Sequence, residues 1–535
     1  MACARTCAVA LTGVEGVVVE VQADLEPGVA AFSLVGLADK SLSESRDRVR
    51  AAITNSGSPW PQKKLTVGLS PAAVPKCGSG FDLAVACSVL AAAEQIDPEA
   101  IADVMMIGEL ALDGRVRTVR GVLPAVLAAA GAGCRQVVVP EQAAGEAALV
   151  PDVAVLGVRS LRQLIAVLRG EPVPEEPPPD GRGAGPAGAG PGPREPLGLV
   201  LGGVAAGPAP DLADVSGQRT PRRALEVAAA GRHHLLLQGA PGAGKTMLAE
   251  RLPGLLPPLS RRESLEVTAV HSVGGLLPPG RALIDRAPYC APHHSTSMAA
   301  LVGGGSGVPR PGAVSLAHHG VLFLDEAAEM SGRVLDALRQ PLESGYVVVA
   351  RAAGAVRMPA RVLLVLATNP CPCGRHGSAG EPCLCPPSAV ARYRARLSGP
   401  LLDRVDLRVR VEPVSRAELT ARVPGESTAV VAERVRAARE RAWARYADTG
   451  WRANGEVPGH ELRTKWAPGP GALARAERDL ERGLLTARGL DRVLRVAWTV
   501  ADLAGRGRPT AEDVDAALEL RTGVRRGAGV AGSLP

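Results

Sequence analysis

The chain has 535 residues, enough for about three domains of roughly 150 residues each. Hydrophobic residues make up 46 % and charged residues 21 %, which excludes a disordered or collagen-like chain. The net charge of +7 permits a nucleic-acid partner without requiring one, and aromatics at 2 % are too few for an extensive base-stacking platform.

No N-terminal stretch joins a basic start, an apolar run and a small-residue cleavage site. No apolar run is long enough to span a bilayer, and the nearest candidate, Leu197–Ala206, is broken by Gly and Pro. The expectation is a soluble, cytoplasmic protein with no membrane partner. Of the ten cysteines, Cys3, Cys7, Cys77, Cys87, Cys134 and Cys290 are scattered among apolar neighbours and read as small buried hydrophobes.

Residues 1–170 alternate strand-like runs (Val17–Val21, Lys64–Leu69, Val137–Val139) with helix-like ones (Phe81–Ala93, Gly121–Ala130), so the first unit is α/β. Residues 171–210 are dominated by Pro, Gly and Ala and read as a flexible linker. Residues 211–411 return to strand–loop–helix alternation, with the apolar runs of a parallel sheet at His234–Gln238, Val321–Leu324 and Val362–Ala367. Residues 412–535 are helical and Arg-rich, with Val430–Ala447 and Leu490–Leu503 the strongest helices. No fixed-period repeat is present.

The apolar strand HLLLQ runs directly into GAPGAGKT, and MLAERL continues as a helix. This is G-x-x-x-x-G-K-T in its required strand–loop–helix context. In Gly239, Ala240, Pro241, Gly242, Ala243 and Gly244 the backbone N–H groups can turn inward around phosphates, and the helix N-terminus adds its positive dipole end. Lys245 would reach the β- and γ-phosphates of ATP, and the Thr246 hydroxyl would bind Mg²⁺. Only six of the 61 basic residues are Lys, so a Lys at this position is not casual. About 80 residues on, the strand VLFL ends in Asp325-Glu326. Asp325 would hold Mg²⁺ and Glu326 would polarise the attacking water; alone, the pair reads equally as a solvated acidic strand end.

The next apolar strand ends at Asn369, whose amide can orient that water or simply cap a turn before Pro370. Arg404, in LLDRVD, can complete a neighbouring subunit's site or pair with Asp403 or Asp406 on the surface. Arg488 opens the C-terminal helix region and could reach the nucleotide from a lid, or remain a surface charge.

These segments together resemble the ComM/YifB group of magnesium-chelatase-like AAA+ ATPases over nearly the whole chain. VGLADKSLSESRDRVRAAITNSG, GELALDGRVRTVRG, DLADVSGQ, GAPGAGKTMLA, PHHSTSMAALVGGG, PGAVSLAHHGVLFLDE, ATNPCPCG, RYRARLSGPLLDRVDL and TARGLDRVLRVAWTVADL carry the likeness. The resemblance implies a Lon-protease-like N-terminal domain, a P-loop AAA+ parallel-sheet module, a helical C-terminal lid and a hexameric ring. It implies an ATP-driven DNA helicase for branch migration during DNA uptake or recombination. It makes Asn369 the sensor-one residue, Arg404 the arginine finger and Arg488 the sensor-two residue, with TAR where the family usually has SAR. It makes Tyr346–Ala360 a hairpin facing the ring pore. A chelatase-like or protein-remodelling ATPase without DNA activity is the alternative.

Lon-type proteases carry a Ser nucleophile after a Pro-Lys-x-Gly turn. In Pro75-Lys76-Cys77-Gly78-Ser79-Gly80 that position falls on Gly80, with Ser79 one place early, and the partner Lys falls near Leu123. No Lys lies between Lys76 and Lys245, so no base activates a Ser, and the domain reads as an inactive protease.

Cys371, Cys373, Cys383 and Cys385 form a C-x-C pair of pairs with nine residues between them. Four thiolates could close a structural zinc site, with His376 as a substitute ligand, or stay free and redox-labile. For DNA contact, Arg392, Arg394 and Arg396 alternate, Arg434, Arg436, Arg439, Arg441 and Arg445 share one helix, and Arg351 and Arg357 sit in the hairpin. Such charges either track phosphates or form a solvated face interleaved with Glu433 and Glu440. His293, His294, His318 and His319 read as satisfied loop or core histidines rather than a metal site.

Overall fold

The computed structural model describes residues 2–36, 42, 44–175, 199–200, 209–277, 283–305, 309–351, 354–377, 382–420 and 425–523. Most of the 171–210 linker and the last twelve residues of the C-terminal region lie outside them.

In the N-terminal domain, Ala2–Thr12 and Glu15–Glu26 form a long antiparallel hairpin. Buried positions alternate along the second half of Glu15–Glu26, the period-2 signature of a strand with one face on a core. A seven-stranded mixed sheet runs in the order Ala31–Val35, Lys64–Ser70, Glu15–Glu26, Ala2–Thr12, Val104–Met106, Gln136–Pro140, Ala154–Val158. Helix Asp82–Ala92 is buried along its whole length, which its run of Ala, Val, Leu and Cys permits. Of the six scattered cysteines only Cys87 and Cys290 are buried; Cys3 and Cys77 are exposed, and Cys7 and Cys134 lie between. The expectation of buried thiols therefore fails at Cys3 and Cys77, one near the start of a strand and the other in a turn.

The central domain holds a six-stranded sheet in the order Leu199–Val200, Tyr289–Cys290, Val321–Leu324, Leu363–Thr368, Leu235–Gln238, Leu407–Arg410. All neighbours are parallel except the first pair. Val321–Leu324 and Leu363–Thr368 are buried at every position, as strands covered on both faces must be. Leu199–Val200 falls inside the segment read as a linker. The segment's one short apolar stretch pairs antiparallel with the open edge at Tyr289–Cys290, satisfying backbone groups that an edge leaves unpaired.

Helices Thr428–Arg445, Ala487–Leu503 and Ala511–Thr522 form the C-terminal unit. Their apolar faces share one core with Leu235, Leu237, Val365 and the helix that follows the P-loop. Asp211 ties the two units: its Oδ1 accepts the amides of Ala213 and Thr428 at 2.8 Å each.

The N-terminal domain docks through helix Val122–Gly131 on helix Arg261–Gly274. Half-buried Glu146 accepts the Leu123 amide at 2.7 Å and a short bond from the Ser272 hydroxyl; desolvation raises its pKa against those two bonds. At Gly13, with φ +68°, a Cβ would meet Val356 at 2.7 Å, so the turn of the first hairpin abuts the strand Gly354–Pro359. Among the described residues no helix is long and apolar enough to cross a membrane.

Candidate nucleotide site

Parallel sheets bind ligands at the carboxyl ends of their strands. Here three adjacent strand ends converge: the loop after Leu235–Gln238, Asp325 after Val321–Leu324, and Asn369 after Leu363–Thr368. Helix Lys245–Leu255 starts at once behind Gly244, which has φ +93°, a left-handed conformation that favours glycine. At Gly239 a Cβ would lie 2.2 Å from the Val411 carbonyl oxygen, so only glycine lets the loop pass the end of the edge strand.

Lys245 is 8 % exposed. Its amine donates to the carbonyls of Gly239 (2.8 Å) and Ala240 (2.9 Å) and to Asn369 Oδ1 (3.0 Å). Burial lowers its pKa, and the nearby carboxylates of Asp325 and Glu326 oppose that shift. Thr246 Oγ1 donates to Asp325 Oδ2 at 2.6 Å. The structure therefore brings together Lys245, Thr246, Asp325 and Asn369, residues up to 124 positions apart. A hydroxyl beside a carboxylate is a donor set for hydrated Mg²⁺, and a buried amine next to a ring of loop amides suits a polyphosphate. The residues fit a magnesium–nucleotide complex.

Glu326 sits one residue past Asp325 in a left-handed conformation (φ +48°, ψ +40°), and its amide donates to Asp325 Oδ1 at 2.8 Å. His294 Nδ1 lies 3.0 Å from Glu326 Oε2. No sequence signal pairs these two: they are brought together by the parallel pairing of Tyr289–Cys290 with Val321–Leu324.

Arg404 stands apart from this cluster. Its guanidinium makes a short ion pair with Glu343, not with Asp403 or Asp406, and donates to the Pro400 carbonyl at 2.6 Å. It lines a cavity with Arg232, Arg361, Arg492 and Arg495. Asp406 is paired instead with Arg492 and lies 3.5 Å from His233 Nδ1. Arg488 is exposed at the start of Ala487–Leu503 and is not hydrogen-bonded to the P-loop of its own chain.

The remaining arginines separate. Arg434 pairs with Glu226 (2.7 Å) and Glu426 (2.6 Å), and Arg436 with Glu433 (2.5 Å) and Glu440 (2.6 Å). Arg439 donates to the Ala229 carbonyl, Arg441 to the Asp502 carbonyl, and Arg445 to the Asp502 carboxylate. On that helix Arg436 forms a solvated face with Glu433 and Glu440, Arg434 and Arg439 bond to the helix Arg219–Gly231 of the central domain, and Arg441 and Arg445 bond within the C-terminal unit. Arg394 and Arg396 are likewise bonded, to the Pro370 carbonyl and to Glu329, while Arg392 is exposed. The expected hairpin is present as Tyr346–Arg351 paired with Gly354–Pro359. Arg357 on it is exposed and stacks 3.7 Å over the Tyr346 ring; the side chain of Arg351 lies outside the described residues.

Cys371, Cys373, Cys383 and Cys385 present four Sγ atoms all within 4.8 Å of one another. Cys371 Sγ lies 3.3 Å from Cys373 Sγ and 3.6 Å from Cys383 Sγ, and it accepts the backbone amide of His376 at 3.3 Å. His376 thus supports the cluster through its main chain rather than as a ligand. A hydrogen bond donated by the Arg375 backbone amide pulls the Cys373 thiol down to about 6. At Gly374, with φ +78°, a Cβ would come within 2.3 Å of Pro241 Cδ, so this turn leans on the P-loop itself.

His318 and His319 are buried. His318 Nδ1 accepts the Arg361 amide at 3.0 Å, which leaves its proton on Nε2, facing Glu266 at 3.3 Å. His319 Nε2 lies 3.0 Å from the same Glu266 oxygen. With Nε2 protonated, His318 has no lone pair for a metal, and the group reads as satisfied core histidines. In the N-terminal domain, Ser79 makes a short hydrogen bond to Glu109, fully buried Lys76 turns its amine to the Pro71 carbonyl, and Leu123 is buried.

Three family models cover most of the chain: "Magnesium chelatase, subunit ChlI" at residues 211–419, "Subunit ChlI of Mg-chelatase" at 21–143, and "Magnesium chelatase, subunit ChlI C-terminal" at 425–521. An uncharacterised protein of Mycobacterium tuberculosis is 52 % identical over 98 % of this chain and 100 % of its own length. Competence protein ComM of Haemophilus influenzae is 38 % identical over 96 % of each chain, and protein YifB of Escherichia coli is 38 % identical over 92 % of each. Lon protease of Trichlorobacter lovleyi is 31 % identical over 25 % of this chain and 17 % of its own, consistent with a Lon-like N-terminal domain. The converging strand ends, the paired Thr246 and Asp325, and these full-length likenesses lead to one conclusion: the chain belongs to the ComM/YifB family of magnesium-chelatase-like AAA+ proteins.

Proposed function

We propose that this protein hydrolyses ATP and uses the energy to move on DNA as a homohexameric cytoplasmic ring. The observation that carries the ATPase reading is the 2.6 Å bond between Thr246 and Asp325, with Lys245 held 3.0 Å from Asn369 beside it. When a nucleotide binds, the Lys245 amine leaves the Gly239 and Ala240 carbonyls for phosphate oxygens. Thr246 and Asp325 would hold a Mg²⁺, which would supply charge neutralisation at the phosphates. Glu326 orients the attacking water and accepts its proton, and Asn369 aligns that water with the γ-phosphate. Arg404 acts across the ring on a neighbour's nucleotide, and Arg488 reaches the nucleotide from the lid; the exposed position of Arg488 at the start of Ala487–Leu503 supports that role.

DNA as the polymer is supported by the competence protein among the relatives and by Arg357 on the exposed hairpin. Contact is with the phosphate backbone and independent of sequence, in DNA uptake or recombination. The four-cysteine cluster is assigned one structural Zn²⁺, closed to chemistry because four thiolates leave no open position. Ser79, bonded to a carboxylate and lacking an amine base, takes no part in peptide cleavage.

The test is ATP turnover with and without forked and four-way-junction DNA, for the wild type and Lys245→Ala. DNA-stimulated turnover that Lys245→Ala abolishes supports the proposal. Turnover that ignores DNA, with no strand displacement, overturns the DNA part in favour of a chelatase-like or protein-remodelling motor.

A further inference from the structure

The junction between the N-terminal and central domains gathers cations without local acids. Three stretches of chain converge there: 114–140 of the N-terminal domain, 267–284 around the end of helix Arg261–Gly274, and 301–324, which holds the antiparallel pair Gly303–Gly304 with Arg310–Pro311. None of the three contains an Asp or Glu, so no carboxylate arises from them to neutralise Arg120 or Arg310. Glu146, which reaches the junction from outside these stretches, is committed to the Leu123 amide and the Ser272 hydroxyl.

Arg120 is fixed in place across the domain boundary. Its side chain packs on Gly275, where a Cβ would stand 2.9 Å from Nε and 3.4 Å from Cδ. The next residue is pinned as well, because the Gly121 amide donates to the Ser272 carbonyl at 3.2 Å. The dipole at the end of helix Arg261–Gly274 favours a cation here, but its last carbonyls are being used: Ser272 takes the amides of Gly121 and Gly275, and His271 takes that of Leu276. Among the described residues the half-buried Arg120 guanidinium has neither an acceptor nor a carboxylate partner. Burial and the charge of Arg310 both lower its pKa. Two guanidiniums so placed repel each other unless an anion lies between them. Arg310 is exposed, and its partner strand lies against the hairpin, since a Cβ at Gly303 would be 3.7 Å from Val349. The turn at Gly13 rests on the other strand of that hairpin, where a Cβ would be 3.0 Å from the Arg357 carbonyl oxygen. Arg120, Arg310 and Arg357 therefore lie along one seam built by both domains, with exposed Glu15 on the turn beside it.

We propose that Arg120 and Arg310 together grip one backbone phosphate of DNA, so that the N-terminal domain forms part of the DNA path. This rests on the reading above, in which DNA is the polymer. A phosphodiester supplies the missing negative charge and offers acceptor oxygens to both guanidiniums. The contact is to phosphate alone and carries no sequence preference.

The experiment measures binding of a labelled DNA duplex to the full chain by fluorescence anisotropy, with a non-hydrolysable ATP analogue present and salt varied from about 0.05 to 0.3 M. The proteins are the wild type, Arg120→Gln, Arg120→Lys, Arg310→Gln and the double Gln variant. Each single Gln variant is expected to raise Kd about five-fold at about 0.15 M salt and to make the slope of log Kd against log salt shallower by about 1, the loss of one phosphate contact. Arg120→Lys, which keeps the charge, is expected to retain the wild-type slope. The double variant is expected to lose no more than about ten-fold, because both residues serve one phosphate; a loss equal to the product of the single effects overturns the shared site. Arg310 is exposed, so Arg310→Gln decides the matter if Arg120→Gln proves unable to fold. Unchanged Kd and slope in a folded Arg120→Gln, or in Arg310→Gln, overturn the proposal and leave the DNA reading standing. A wild type that binds no DNA sinks that reading itself, and the site with it.

Discussion

The turn that carries the first two cysteines presses on the P-loop, and Gly374→Ala tests whether that contact matters. The new Cβ would stand 2.3 Å from Pro241 Cδ and 2.6 Å from Cγ. A proline ring cannot swing aside, so turn and loop must separate by about 1 Å to reach ordinary contact. The left-handed φ of +78° adds backbone strain of about 1 kcal/mol. Gly377→Ala supplies the control: its φ is +73°, but a Cβ there would meet no described atom within 4 Å. Both variants should melt about 2–4 °C lower from the shared strain. Only Gly374→Ala should lose ATPase, with kcat/KM down about 100-fold, the cost of a 1 Å misplacement at a reacting site. Steady-state ATPase and thermal melts read both quantities. Equal activity of the two variants would refute the idea that the cysteine turn shapes the P-loop.

Elemental analysis of purified protein should find about one zinc per chain, and Cys383→Ser should lower zinc content and ATP affinity together; a metal-free wild type with full activity would count against it. Burial holds the imidazoles of His234, His271 and His318 down at about 4 each, below the ordinary 6.5. In the unfolded chain these groups take up protons first, so their stabilisation is complete above about pH 6.5 and is lost as pH falls toward about 4. Unfolding free energy should fall from about pH 6.5 to 5 by on the order of 1 kcal/mol per pH unit for each group, lowering the melting temperature, and His271→Asn should flatten that slope; an unchanged slope would contradict it. Arg357→Ala should leave basal ATPase intact and weaken DNA stimulation several-fold, with a shallower salt dependence, because a phosphate contact is lost and the nucleotide site is not touched.

The candidate nucleotide site is legible in the sequence because its parts are local signatures: a strand, a glycine loop and a helix in one continuous stretch, then two more strands ending in Asp325 and Asn369. Bringing Asn369 to Lys245 needs only that adjacent parallel strands end together. The His294–Glu326 contact was not readable, because neither residue's neighbourhood announces it and the pairing depends on the register of Tyr289–Cys290 beside Val321–Leu324. The arginine helix was half readable. The i,i+3 and i,i+4 spacing of Arg436 to Glu433 and Glu440 predicts surface pairs, but the burial of Arg439 on the Ala229 carbonyl depends on how two distant helices pack. The edge strand Leu199–Val200 was hidden by the composition around it, since two apolar residues in a Pro/Gly-rich stretch carry no periodicity.

In the proposed reaction Glu326 serves hydrolysis at a site where Lys245, Thr246 and Asp325 hold the nucleotide. That role is tested most directly by measuring ATP affinity and single-turnover hydrolysis on Glu326→Gln protein. Glu326→Gln protein is expected to bind ATP with magnesium as tightly as wild type and to hydrolyse it at least 100-fold more slowly, within the range general base catalysis supplies. Wild-type turnover by the variant, or failure of the wild-type protein to bind ATP at all, would contradict it.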